Sequence, residues 1–173
     1  CNVSLEKTAQ FVSDVTDGAL SPSVGMISGL CREFSLKSKE EQDALFKELL
    51  DAPVMHVDGT AAKVNGSNHH VIVCSNGMAT MYFARESKGH AGVKGTPVET
   101  FGGILIHDHE ACFYSYGSDH QECMVHIERY LRDSMENEPE LTWNRQMLEL
   151  IQEMIHENNT APEEGIADEK IAE

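Results

Sequence analysis

Residues 54–85 read VMHVDGTAAKVNGSNHHVIVCSNGMATMYFAR, and this stretch decides the fold class. After Pro53 comes a short apolar run with β-branched residues, Val54-Met55-His56-Val57-Asp58, and residues 61–64 continue it. Asn65-Gly66 follows. Both central residues of a type I′ turn need positive φ, so this pair predicts a hairpin. His70-Val71-Ile72-Val73-Cys74 is the next strand, Asn76-Gly77 predicts a second turn of the same kind, and residues 78–85 form a third strand. The three make an antiparallel meander. Residues 85–95 are polar and contain glycine, hence a loop, and residues 96–101 form a helical turn or two. Gly103-Ile104-Leu105-Ile106-His107-Asp108 is a fourth strand, whose continuous apolar run suits a buried central position.

Helical periodicity brackets this core. Leu5, Ala9, Val12 and Val15 recur at helical spacing, with Gly18 as a stop. Ser21-Pro22 supplies an N-cap and a proline at the first helical position. Val24, Ile27, Leu30 and Cys31 then make an apolar stripe. Ser38 and Glu41 are the ends of a capping box, and Leu45, Phe46, Leu49 and Leu50 a third apolar face. Residues 21–32 fit either the second helix of a DNA-binding helix-turn-helix or an ordinary helical hairpin, and Arg32 and Lys37 are the bases there. From residue 119 the pattern is helical again. Cys123, His126, Ile127, Tyr130 and Leu131 share a face, Pro139 interrupts, and residues 141–156 are amphipathic. Residues 158–173 are a polar, acidic tail or connector. The expected organisation is an N-terminal helical segment (1–52), an α/β core (53–131), and a helical extension with an acidic tail (132–173).

Composition sets the bounds. The chain has 173 residues, 40% of them hydrophobic, enough to bury a core in one domain with a small appendage. No eighteen-residue apolar run exists for a membrane span, and the first residues lack the basic-then-apolar order of a signal peptide. Aspartate and glutamate number 29 against 13 lysines and arginines, a formal charge of −16. That argues against holding nucleic acid by bulk electrostatics, which needs clustered bases. Residues 132–173 hold twelve of the acids and three of the bases, so the excess is concentrated there. The five cysteines include no C-x-x-C pair, which favours free thiols in a reducing cytoplasm over a disulfide framework.

Two strands run into an aspartate, Asp58 and Asp108. A carboxylate after several apolar residues is costly unless it meets a cation or a donor. If the strands are neighbours, the two acids meet at one place, where hard oxygen ligands suit Mg²⁺ or Mn²⁺ in a two-metal site for phosphodiester chemistry. The plainer reading is that each aspartate caps a turn. His56, His107 and His109 flank the acids as metal ligands, proton shuttles or ordinary strand residues. Cys123 and His126, spaced C-x2-H, share a helical face, yet a zinc site wants four ligands and no second pair follows. Arg85, Lys88, His90 and Lys94 lie among Gly89, Gly92 and Gly95 in a candidate DNA-facing loop, or a solvated hairpin extension. Phosphate-loop, nucleophile-elbow and H-E-x-x-H patterns are absent.

These blocks, taken in order, carry a resemblance. VMHVDGT (54–60), VNG (64–66), YFAR (82–85), GILIHD (103–108) and CMVHIERYL (123–131) resemble the insertion-sequence-66 family of bacterial transposases, over roughly residues 4–157. The resemblance implies an RNase-H-like fold with an acidic triad. It implies cut-and-paste or related DNA strand transfer with Mg²⁺ or Mn²⁺, on transposon ends and target DNA, in a homo-oligomeric complex. It makes Asp58 the first acid and Asp108 the second, and gives the pair Cys123 and His126 a structural role in docking an inserted helical region. Gly59 departs from the pattern, since many relatives carry Glu there. The family's third acid lies in a later Asp-Asn-Asn…Glu-Arg block that this sequence lacks, which makes the chain read as a central fragment, inactive alone. Two rivals stand beside this reading. A stand-alone RNase-H-like nuclease needs a third carboxylate near Asp58 and Asp108. A non-enzymatic DNA-binding or assembly module would use the helix at residues 21–32.

Overall fold

The computed structural model describes residues 3–161. Three helices come first: α1 (Leu5–Val15), α2 (Val24–Lys37) and α3 (Lys39–Asp51). Then follow β1 (Val54–Val64), β2 (Ser67–Ser75), β3 (Thr80–Arg85), a short helix α4 (Gly89–Val93), β4 (Ile104–His107), β5 (Asp119–Glu122), α5 (Met124–Asn137) and α6 (Trp143–Thr160). The strands form one open mixed sheet in the order β3-β2-β1-β4-β5. The meander β1-β2-β3 is antiparallel, whereas β4 joins β1 in parallel and β5 joins β4 in parallel. The expected meander holds, and the fourth strand lies inside the sheet between β1 and β5. Its continuous apolar run is not buried throughout, since Leu105 and His107 are buried while Ile104 is exposed and Ile106 half-buried.

Alternation along β1 explains the sheet's two faces. Met55 and Val57 are buried while His56 and Asp58 are exposed. The buried set continues across neighbours through Ile72, Cys74 and Leu105. Leu49 of α3, with Val93, Val98, Phe101 and Phe113 from the connections, covers that face. Burial pushes the Cys74 thiol up to about 12, the mark of an inert core cysteine. A second, smaller apolar cluster joins α5 and α6 through Leu131, Leu148 and Ile151.

Several local expectations are corrected. The cap of α2 is Ser23, not Ser21. Its hydroxyl accepts the Met26 amide at 3.1 Å, so the helix starts at Val24 and Pro22 lies ahead of it. Ser38 separates α2 from α3 without a capping box, because its hydroxyl donates to the Ser35 carbonyl and accepts from Gln42. Asn65 and Gly66 both have positive φ, 50° and 82°, as a type I′ turn requires. Asn76 and Gly77 do not. There the Asn76 side chain accepts the Met78 and Ala79 amides at 2.8 and 2.7 Å and builds the turn itself. Residues 119–122 are the strand β5, where helical periodicity was expected. The strand is polar throughout, Asp-His-Gln-Glu, and is held by backbone pairing to β4. In α2 only Ile27 is buried, and its exposed residues include Met26, Leu30 and Phe34 as well as Arg32. The acidic tail beyond residue 161 lies outside the described residues.

Gly103 sets the approach of β4 to β1. A Cβ there would stand 2.5 Å from the Pro53 carbonyl oxygen and 2.7 Å from the Phe101 ring. Gly77 by contrast faces open space. Gly103→Ala is expected to cost about 1–3 kcal/mol in a urea unfolding series, and Gly77→Ala to stay within about 0.5 kcal/mol of the parent.

Candidate metal centre

The parallel register of β1 and β4 places Val54 opposite Ile104 and His56 opposite Ile106. Two residues further on, Asp58 draws level with Asp108. Asp58 alternates with buried Val57, so it stands on the sheet face turned away from the main core. β4 ends at His107, and Asp108 begins the turn beyond it.

Each carboxylate is oriented by an amide. The Gly59 N–H donates to Asp58 Oδ1 at 2.8 Å, and the Glu110 N–H donates to Asp108 Oδ1 at 3.0 Å. Among the described residues neither acid forms an ion pair with lysine or arginine. A third side chain meets them. One ligand atom each from Asp58, Asp108 and His126 lie within 4.8 Å of one another. A separation of roughly 8 Å or more would have ruled out a shared metal. His126 sits in the first turn of α5. That turn is tied to the acid site because the Cys123 N–H, at the helix cap, donates to the His107 carbonyl at 2.7 Å. Cys123 itself is half-buried and free, and is not one of the three clustered side chains.

The flanking histidines differ in role. His56 is exposed on the Asp58 face. His107 is fully buried. Its Nδ1–H donates to the Asp108 carbonyl, which leaves Nε2 to accept from His120 Nδ1 at 3.2 Å. Phe113 and Tyr114 pack against the same ring. His107 thus holds the backbone of Asp108 from behind. His109 bonds Glu122 at 2.7 Å, and the Tyr114 hydroxyl donates to the same carboxylate oxygen. Those two bonds, Tyr114 first, hold the Glu122 carboxyl below its ordinary value, while the bond to Glu122 pushes the Tyr114 hydroxyl up to about 12.

The loop after β3 is built on Arg85. Its guanidinium donates to the carbonyls of Gly92 (2.9 Å), Ala84 (3.1 Å) and Lys94 (3.3 Å), and it lies over the Phe83 ring. Arg85 is therefore a clamp on its own loop, while Lys88 and Lys94 remain exposed on it. The loop reaches the acid site through Glu110, which accepts the Gly89 amide at 3.2 Å and stands beside Gly59. Burial first, and Glu110 second, push the neighbouring Cys112 thiol up to about 12.

Sequence pattern pointed to Asp58 and Asp108, while His126 was expected, with Cys123, in a structural role. The signal that could have found it is a histidine three residues after a strand-to-helix junction that itself abuts the second acid. The model of the family described as "Transposase IS66 family" matches residues 3–173. No curated protein and no solved structure matches.

Because the Glu122 carboxyl is depressed, the stability it contributes is present above the unfolded pKa and is lost as pH falls through the folded one. Tyr114→Phe is expected to raise the Glu122 midpoint toward the ordinary glutamate range, read from its carboxyl carbon in an NMR titration. An unmoved midpoint would contradict the assignment.

Proposed function

The chain belongs to the Transposase IS66 family, whose model matches residues 3–173, and from that premise we propose that it forms part of a DNA strand-transfer centre in which Asp58 and Asp108 are two of the acids. The observation that carries the reading is their meeting with His126 at one point on the sheet face. We read the sheet as RNase-H-like. The order β3-β2-β1-β4-β5, with an antiparallel meander and two parallel additions, supports it.

The donor set fits a divalent cation. It comprises two carboxylates, each with one oxygen oriented by an amide and neither paired with lysine or arginine, and an imidazole whose Nδ1 is buried without a partner. Mg²⁺ or Mn²⁺ held by Asp58 and Asp108 would supply charge stabilisation at the phosphodiester and activation of the attacking oxygen. The chain's own residues do the rest. Asp58 is open to solvent, so a DNA backbone can reach it. Asp108 is half-buried and fixed from behind by His107. Lys88 and Lys94 are exposed on the loop after β3 and offer phosphate contacts there, and Arg85 holds the loop that carries them. Among the described residues no third carboxylate joins the pair, and the third acid of the triad comes from a segment other than residues 3–161 in this reading. The stand-alone nuclease reading asks for that carboxylate within the cluster, where His126 stands instead. Transposon ends and target DNA are the substrates, acted on by a homo-oligomer. No helix among the described residues is long and apolar enough to cross a membrane.

The test is transposition of a marked element by the intact transposase. Asp58→Asn and Asp108→Asn are each expected to lower its frequency by about a thousandfold, equivalent to ~4 kcal/mol of lost transition-state stabilisation. Lys88→Ala should weaken DNA binding modestly and reduce its salt dependence. Wild-type frequency in either aspartate variant would remove the reading.

A further inference from the structure

We propose that His126 is itself a ligand of the divalent cation, so that the site is a mixed carboxylate–imidazole site and favours Mn²⁺ over Mg²⁺. The inference rests on the acid-pair reading above and goes beyond it. One imidazole nitrogen lies within 4.8 Å of an oxygen of each aspartate, yet no hydrogen bond or ion pair joins the ring to either carboxylate. Metal–ligand bonds of about 2.0–2.2 Å set donors across one ion about 4 Å apart. A common limit of 4.8 Å on all three separations accommodates a shared ion, and the ring makes no direct hydrogen bond to either acid. The His126 Nδ1 is also buried and without any hydrogen-bond partner. A buried unpaired ring nitrogen costs free energy. Ligation through Nδ1 would satisfy it and fix ring orientation and tautomer together.

The fold makes His126 a positioned donor. The Cys123 amide pins the start of α5 to the His107 carbonyl at 2.7 Å, one residue before Asp108. The His126 amide in turn donates to the Cys123 carbonyl at 2.9 Å. The spacing between Cys123 and His126 then acquires a physical meaning. The first residue anchors the helix to the acid strand, and the one-turn offset delivers the imidazole over the acids. Imidazole nitrogen is a softer donor than carboxylate oxygen. Its presence raises affinity along the series from Mg²⁺ toward transition ions.

The experiment uses Mn²⁺ alone as the probe, on this chain. Pulsed electron paramagnetic resonance of the bound ion is expected to show nitrogen hyperfine coupling, altered when histidine is supplied with heavy nitrogen. His126→Leu should abolish the coupling and lower Mn²⁺ affinity by about tenfold or more, while Mg²⁺ affinity falls less. The labelled parent protein gives the same answer with no substitution, so the test does not hang on how the variant folds. Absence of nitrogen coupling in parent protein whose Mn²⁺ binding is still lost in Asp58→Asn would overturn the His126 assignment and leave the acid pair standing. Coupling that persists in His126→Leu would also overturn it. Mn²⁺ binding that survives both Asp58→Asn and Asp108→Asn would overturn the pair itself.

Discussion

The rest of the molecule depends on the parallel pairing of β1 with β4. Parallel neighbours need a crossover connection, and here it runs from the end of the meander through α4 and the turn at Pro97–Thr100. Those segments bury Val93, Val98 and Phe101 against the sheet, so the crossover is also part of the core lid. The pairing is possible at this distance because residue 103 has no side chain. Its register then decides which residues meet. Met55 and Leu105 fall together on the covered face, and the aspartates two steps beyond His56 and Ile106 fall together on the other.

The turn that carries Asp108 is braced by neighbouring groups on several sides. His107 is buried behind it and bonds its carbonyl, with His120 completing the imidazole's hydrogen bonds. The Glu110 amide bonds its carboxylate, while the Glu110 carboxylate draws in the glycine loop through Gly89. The α5 cap is tied to the preceding carbonyl. A buried polar relay of this kind is stabilising only when every member is satisfied, and its members then share one arrangement. Asp58 needs less support, because it sits within a continuous strand and its carboxylate bonds the next amide in the chain.

Much of this was legible in local pattern. The meander, the Asn65-Gly66 turn, the helical brackets and the two aspartates all follow from near-neighbour chemistry, which is what period and turn residues report. The parts that were not legible share a cause. β5 has no apolar alternation, since its partner is reached through backbone atoms on one side. The Asn76 turn uses a side-chain acceptor in place of positive φ. Arg85 looked available for phosphate, yet its donors go to carbonyls of its own loop, a choice made by loop closure.

The concentration of acids in residues 132–173 is a property of the sequence alone, as are the blocks that carry the family resemblance. The amino-acid order by itself determined where strands and helices could form and that two carboxylates would follow apolar runs. It did so because propensity, turn chemistry and periodicity act over a few residues. Tertiary structure alone decided that those carboxylates stand level, that His107 supports one of them from behind, and that His126 joins them from a helix 18 residues after Asp108. Those facts depend on strand register and on where a helix cap is pinned. Both are set by contacts between segments far apart along the chain, so no local pattern contains them.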